Sequence, residues 1–417
     1  MYFMTQEHVD ILVIGAGPSG CVSSSIVHNN GLKVMVVEKE NFPRFVIGES
    51  LLPRCMVALT EAGLVDTVAD QNFQKKFGAK FLQEDKVCEF TFADQFTEGW
   101  NWTWQVPRAD FDSSMANKLV EKGIPVHFET AVTAIEFKGS DSITTVKDKD
   151  GNERQIHAKY VIDSSGWGRA LPRLLDLDEP SSFPARKTLF AHFKDINRPD
   201  THNNSQIIII DHKPQVWIWV IPFSNGNVSC GFVGKPEFFD DFKGTAEENL
   251  RAMINSELNI RERLNDAPMV WEEPKTIEGY AIATKKHYGD GFVLTGNAAE
   301  FLDPIFSSGV TFAVESGMVA AKLACRQVKG ENVDWENDYK KYIMDGVNCF
   351  RTYVRAWYEG KLQDIFFSPQ IDENIKKMIC SVLAGYVWDK ENYYVKNHDR
   401  AIDTLASVVR MNKKEVA

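Results

Sequence analysis

The chain contains no Cys-x-x-Cys pair. Its seven cysteines are odd in number and scattered from Cys21 to Cys380, which argues against a disulfide framework or a zinc site and for reduced, mostly buried thiols. Also missing is any apolar run near the roughly 18 residues that a membrane-spanning helix requires. The first residues, Met1 to Asp10, have neither a basic start nor a long apolar stretch, so no secretory leader is expected and the cytoplasm is the expected compartment. Positive charge is in short supply. Lys and Arg number 47 against 58 Asp and Glu, a net charge of -11, and without a basic stripe nucleic acid is a poor partner. Repeats, low-complexity tracts and flexible linkers are absent, so rigidly joined lobes are expected. With 417 residues, 44% of them hydrophobic, the chain can bury a large core in two or three lobes.

The N-terminal segment carries the first specific pattern. Val9 to Gly15 is almost continuously apolar, as in a central parallel strand, and runs directly into Gly15-Ala16-Gly17-Pro18-Ser19-Gly20. The glycines of this G-x-G-x-x-G allow a tight turn. The helix they open, ending near Asn30-Gly31, aims its first N–H groups at a pyrophosphate. A second apolar strand, Lys33 to Val37, ends in Glu38, an acid placed for an adenosine ribose. Strand, glycines, helix, strand and acid together predict a dinucleotide site. The glycine pattern alone fits equally a turn that only packs a helix on a sheet.

Further on, Ala131 to Lys138 and Ile143 to Val146 alternate as hairpin strands, Asp150-Gly151 marks a turn, and Gln155 to Ile162 completes a three-stranded meander. The meander closes on Asp163-Ser164-Ser165-Gly166. A later buried strand from Gly291 runs into Gly296-Asn297-Ala298-Ala299, and helices dominate from there to the C-terminus. The predicted fold is α/β with α+β insertions. Residues 1–71, 105–180 and 281–330 form a discontinuous Rossmann-like nucleotide domain. Residues 72–104 and 181–280, rich in aromatic and β-branched side chains, pair into one antiparallel substrate sheet, and 331–417 form a helical cap. Ligands of such two-lobed molecules lodge at the seam.

Within the second insertion, Trp217-Ile218-Trp219-Val220-Ile221-Pro222 reads W-x-W-x-I-P. Side chains two apart on a strand share a face, so Trp217 and Trp219 can form one aromatic wall of a ligand cavity. Periodicity also allows a strand that is simply buried.

The G-x-G-x-x-G turn, Asp163-Ser-Ser-Gly166 and Gly296-Asn-Ala-Ala299 with Asp303-Pro304 resemble the group A flavoprotein monooxygenases and geranylgeranyl-reductase-like enzymes, whose FAD domain is of the p-hydroxybenzoate-hydroxylase type. Within that superfamily four further stretches resemble flavin-dependent halogenases of the phenol and pyrrole branch. They are Gly48-Glu49-Ser50-Leu51-Leu52-Pro53, Phe73 to Phe81, the W-x-W-x-I-P run and Asp303-Pro-Ile-Phe-Ser-Ser308-Gly309-Val310. The resemblance covers nearly the whole chain. It implies FAD used as FADH2 and supplied by a separate NAD(P)H flavin reductase, with O2 and chloride or bromide as co-substrates. A flavin hydroperoxide then yields hypohalous acid, which a lysine directs onto a small electron-rich aromatic, free or tethered to an acyl or peptidyl carrier protein.

Site residues follow from the same comparison. Gly15, Gly17, Pro18, Ser19, Gly20, Glu38, Lys39, Arg44, Arg108, Gly166, Gly296, Asn297, Pro304, Gly309 and Val310 are expected at FAD, with Arg108 near the ribityl and phosphate region. The helix expected from Val310 to Ala324 points its N-terminus at the flavin, and N–H groups at Ser308 and Gly309 can hold a halide. The expected catalytic set is Lys76, Trp217, Trp219, Glu49 and Ser50. Strand alternation does not choose between Lys75 and Lys76, whereas the family pattern F-x-x-K-x-G-A-x-F selects Lys76, and Gly78 is expected to leave room beside it for a small oxidant. Aromatic residues at Phe350, Tyr353, Trp357 and Tyr358 are read as a cap over the substrate entrance or as plain core.

Two departures stand out. Asn297 replaces the usual aspartate after Gly296, exchanging a carboxylate for an amide, with weaker FAD binding expected. Phe306 stands where the tryptophan branch carries a glutamate, which favours the phenol or pyrrole branch. Alternative readings are an FAD-dependent aromatic hydroxylase, a geranylgeranyl-reductase-like dehydrogenase and a degenerate flavin-binding protein.

Overall fold

The computed structural model describes residues 6–181, 183–199, 206–369 and 371–416. Met1 to Thr5, on which part of the reading of the N-terminus rests, lie outside them.

The apolar strand Gln6–Ile14 is central, as its unbroken apolar pattern requires. Val34–Val37 pairs with it in parallel on one side and Glu153–Asp163 on the other. Val126–His127 and Phe292–Leu294 extend the parallel array outward. Thr130–Lys138, Asp141–Asp148 and Glu153–Asp163 form the expected antiparallel meander, so Glu153–Asp163 serves the meander and the parallel array of one eight-stranded sheet. Two helices cover this sheet, Pro18–Asn29 and Ser308–Val328. They cross where Gly317 has no side chain. A Cβ there would lie 2.7 Å from Ser19 Oγ, and Ser23 Oγ donates to the Gly317 carbonyl at 3.0 Å.

A seven-stranded sheet takes strands from both insertions: Gly78–Gln83 and Lys86–Thr91 from the first, and Lys187–Lys194, Ile207–Lys213, Val216–Pro222, Asn227–Gly234 and Lys275–Glu278 from the second. It is not wholly antiparallel. Ile207–Lys213 runs parallel to Gly78–Gln83, which is open to strands far apart in the chain because no hairpin turn joins them. Gln74–Lys76 leaves this sheet altogether and pairs with Thr103–Gln105 in a separate ribbon. Lys76 and Gly78 therefore lie in different sheets, and strand alternation breaks between them at Phe77.

Every residue of Val216–Pro222 is buried because both faces of its sheet are covered. Trp217, Trp219 and Ile221 join the large central core, whereas Ile218 and Val220 pack in a second core with Leu250, Met253 and Ile254 of the helix Ala246–Asn255. The two sequence readings of this strand are thus its two faces.

C-terminal helices close the molecule, among them Tyr342–Tyr358, Lys361–Phe366, Glu373–Leu383 and His398–Val416. Phe350, Tyr353 and Trp357 are core residues of the first of these. All seven cysteines are free and buried. Among the described residues no helix is long and apolar enough to cross a membrane.

Candidate active site

A cavity of about 870 Å³ runs between the two sheets. At one end the three separated turn motifs converge. Ser19 Oγ donates to Thr295 Oγ1 at 2.7 Å, Ser164 Oγ lies 2.8 Å from Thr295 Oγ1, and Ser19 and Ser164 hydroxyls are 3.2 Å apart. Buried hydroxyls of this kind register three loops against one another. Asp163 fixes the middle turn, accepting from Ser165 N at 2.9 Å and Leu171 N at 2.8 Å.

The glycines divide by task. Gly15 has φ +98°, and a Cβ on it would stand 2.6 Å from the Ser164 carbonyl; one on Gly20 would stand 1.9 Å from Gly15 O. Both serve helix–strand packing, and Gly20 does not line the cavity. Gly17 does line it. A Cβ there would meet only Arg44 Nη2 at 3.5 Å, so the turn is open on the cavity side. The helix it opens has no capping side chain and no acid in its first turn, which leaves its N–H groups free to receive an anion. Glu38 accepts from Ala16 N at 2.8 Å and Glu40 N at 2.9 Å, holding its carboxylate beside this turn.

Arg108 is a buried ion pair rather than a surface one: Nε and Nη2 donate to Asp112 at 2.8 and 2.9 Å, and Nη1 donates to the Ile47 carbonyl at 2.9 Å. Arg44 shares Asp112 at 3.0 Å. Both arginines line the cavity, as do Pro18, Lys39, Gly166, Gly296, Asn297, Pro304, Gly309 and Val310. An anion-ready helix end, a fixed acid at the end of the second strand and a long cavity fit FAD. Gly17, Pro18 and Ser19 would hold its pyrophosphate, Glu38 its ribose, and the turn from Asn297 to Val310 its flavin end.

At the expected halide turn Ser307 and Gly309 line the cavity, and the Ser308 side chain is buried. Ser307 adopts φ +57° just before the Ser308–Val328 helix and has no capping side-chain bond, so the turn puts 307 and 309 on the open side.

At the opposite wall Trp217 and Trp219 both face the cavity, with ring centroids 5.9 Å apart. Trp219 lies across from Gly231, where a Cβ would come 2.4 Å from its ring, and its Nε1 donates to Ser229 Oγ at 2.9 Å. Trp217 Nε1 donates to Tyr358 Oη at 3.0 Å, Tyr358 donates to Asp303 Oδ2 at 2.8 Å, and Tyr280 donates to the same oxygen at 3.0 Å. Burial pushes the Asp303 carboxyl up despite these donors. Tyr358 was read from the sequence only as cap or core, whereas Tyr280 was not singled out, since an isolated tyrosine carries no spacing signal.

Lys76 is 1% exposed. Its Nζ donates to Ser50 Oγ and to the Leu51 carbonyl, each at 2.9 Å, and lies 5.5 Å from the Phe92 ring centroid. Burial pushes this amine down to about 7. Lys75, by contrast, is exposed and sits over the Trp102 ring at 4.9 Å. Lys76 itself does not line the cavity; Glu49 and Ser50 do. Gly78 offers no room for an oxidant: a Cβ would come 2.1 Å from the Phe90 carbonyl, so this glycine answers to strand packing. Glu49 Oε1 lies 2.6 Å from Nε2 of His192, a residue that the sequence did not announce.

A family model described as FAD binding domain matches residues 8–338. The chain is 28% identical over 391 residues, 92% of this chain and 93% of the relative, to a 1H-pyrrole-2-carbonyl peptidyl-carrier-protein brominase of Pseudoalteromonas luteoviolacea (strain 2ta16). Among solved structures, a flavoprotein/dehydrogenase from Cytophaga hutchinsonii is 56% identical with a TM-score of 0.96, covering 98% of this chain and all of its own. A flavin-dependent brominase is 25% identical with a TM-score of 0.82, covering 98% of this chain and 99% of its own. The motif resemblance and the cavity thus agree with these likenesses along the chain, which belongs to the FAD binding domain family and is a flavin-dependent oxidoreductase similar to flavin-dependent halogenases.

Proposed function

We propose that this protein is a two-component halogenase. It takes FADH2 from a separate NAD(P)H flavin reductase and chlorinates or brominates an electron-rich aromatic ring, a pyrrole or a phenol, free or carried on an acyl or peptidyl carrier protein. The observation that carries this reading is the buried Lys76 amine, pushed to about 7 and tied through Ser50 to the wall of the FAD-sized cavity. When bound, reduced FAD with O2 and a halide supplies hypohalous acid.

The chain's own residues account for the rest. N–H groups of the Ser307–Gly309 turn offer the halide an anion site at the start of a 21-residue helix. Trp217 and Trp219 keep an organic ring from the flavin end, so only a small oxidant crosses to Ser50. Near neutrality a large share of Lys76 is uncharged, and a neutral amine can accept a hydrogen bond from hypohalous acid or take its halogen. Either way the electrophile is fixed at one point, a gain of positioning. Beside Lys76 the buried Phe92 ring, its centroid 5.5 Å from Nζ, offers an apolar face suited to an aromatic ring. The carrier-bound pyrrole draws on the named activity of the brominase relative.

A dehydrogenase is the second reading, favoured by the description of the 56% identical structure as a flavoprotein/dehydrogenase. Mass spectrometry of products from FAD, a flavin reductase, NADH, O2, and free or carrier-tethered pyrroles and phenols, with and without bromide, separates the readings. A halogen isotope pattern that disappears in Lys76→Ala is expected. Gain of one oxygen would point instead to a hydroxylase, and loss of two hydrogens to a dehydrogenase.

A further inference from the structure

Three carboxyl side chains line the cavity among the described residues: Glu38, Glu40 and Glu49. Glu38 spends both oxygens on backbone N–H groups, and Glu40 is exposed beside Lys39 at 3.5 Å. Glu49 differs from both. It is 2% exposed, Oε1 lies 2.6 Å from His192 Nε2, and Oε2 has no hydrogen-bond partner among the described residues. An orphaned buried oxygen is costly, a cost met where a ligand or a transferred proton completes it.

Its surroundings hold the pair rigidly. The His192 imidazole lies 4.1 Å from the Trp271 ring at 30° and meets Phe223 edge-on at 5.2 Å, which fixes its orientation. The backbone is fixed too, since Val106 N donates to the Glu49 carbonyl at 2.7 Å. With Oε1 paired to His192 Nε2, Oε2 is the carboxyl oxygen without a partner, on a residue that lines the cavity.

Resting on the halogenase reading, the net reaction is FADH2 + O2 + X⁻ + H⁺ → FAD + HOX + H2O. Two electrons pass from the reduced flavin to oxygen and the O–O bond breaks. The halide's electron pair forms the bond to one oxygen, and the other oxygen leaves as water. One proton must therefore enter the cavity in each turnover. We propose that Glu49 delivers this proton from Oε2 to the departing oxygen, and that His192 is its positioning residue. The resulting carboxylate recovers its proton from solvent through the cavity.

Four proteins test this: wild type, Glu49→Gln, His192→Phe and His192→Gln, each assayed for halogenated product and hydrogen peroxide per bound FAD. Loss of the acid is expected to lower product about a hundredfold, in the range of general acid catalysis, and to divert reducing equivalents to peroxide. His192→Phe is expected to do the same, and His192→Gln, whose amide can still donate to Oε1, to restore most of the product. Infrared spectra of cofactor-free protein labelled at glutamate carboxyls give an independent readout. The band lost in Glu49→Gln is expected to shift in His192→Phe and to stay near its wild-type position in His192→Gln. Product within a few-fold of wild type in Glu49→Gln overturns the inference alone, as does a Glu49 band indifferent to His192→Phe. No halide-dependent product from wild type on any substrate overturns the halogenase reading and, with it, the proton demand.

Discussion

Lys76 Nζ and Ser50 Oγ lie 2.9 Å apart, with Ser50 on the cavity wall and Lys76 sealed behind it. The serine is thus the contact point between the space that holds the cofactor and the amine that would direct the halogen. Ser50→Ala removes that link but leaves Lys76 its bond to the Leu51 carbonyl. Halogenated product is expected to fall about tenfold, the size of one lost hydrogen bond of about 1.4 kcal/mol, with peroxide release rising in step. In Lys76→Ala product is expected to vanish while flavin reoxidation continues. Product and peroxide measured together check both, and equal losses in the two variants would show that Ser50 is as indispensable as the lysine.

The glycine turn gives a prediction in which binding and folding separate. Gly17→Val places its side chain in the open cavity, 3.5 Å from Arg44 Nη2 at the first carbon, where the pyrophosphate is expected. FAD affinity should fall by more than tenfold while the cofactor-free protein melts within a few degrees of wild type. Gly20→Ala should do the reverse, because its Cβ would overlap the Gly15 carbonyl at 1.9 Å. Its melting temperature should drop sharply. Flavin fluorescence titration and thermal melts on both variants check the contrast.

Legibility followed the kind of signal each residue carries. Strand, glycine turn, helix, strand and Glu38 are local in sequence and each is dictated by backbone geometry, so the nucleotide half was readable directly. Burial of Lys76 was not. It results from a crossing between the Gln74–Lys76 ribbon and the seven-stranded sheet, a break at Phe77 that alternation does not announce. The Glu49–His192 pair joins residues 143 positions apart, and a lone histidine in an apolar strand gives no hint of its partner. Gly78 shows the opposite failure. A motif drew attention to it, while the exact backbone path decided that it meets the Phe90 carbonyl.

Trp219 and Gly231 form a cross-strand pair in which the glycine makes space for the indole. Gly231→Ala would bring a methyl group 2.4 Å from the Trp219 ring and from Phe190 Cβ. Overpacking of this kind costs about 1–3 kcal/mol, and the indole is the mobile partner, so the aromatic wall shifts into the cavity. Weaker FAD binding and more uncoupled peroxide are expected. Trp219→Phe combined with Gly231→Ala should recover part of the lost stability, because the smaller ring vacates one of the two clashes while that with Phe190 Cβ remains. Denaturant melts on the single and double variants measure the coupling.

Lys76 also predicts a pH dependence of stability. In the unfolded chain a lysine titrates near about 10.4, whereas burial holds Lys76 at about 7 in the fold. Below pH about 7 both states bind the proton, and the fold carries a buried ammonium at full cost. Between these two values the unfolded chain retains a proton that the folded chain has released, so the contribution of Lys76 to stability improves as pH rises. Above both values the cost is gone. Lys76→Met abolishes the titration and leaves Ser50 Oγ and Leu51 O without their donor. The melting temperature of the variant minus that of wild type should therefore be most favourable near pH ~6 and should decline steadily toward pH ~9. All other titrating groups are common to both proteins and cancel in the difference. A difference that stays flat over this range would mean that Lys76 is charged throughout it, and the neutral-amine role would fall with it.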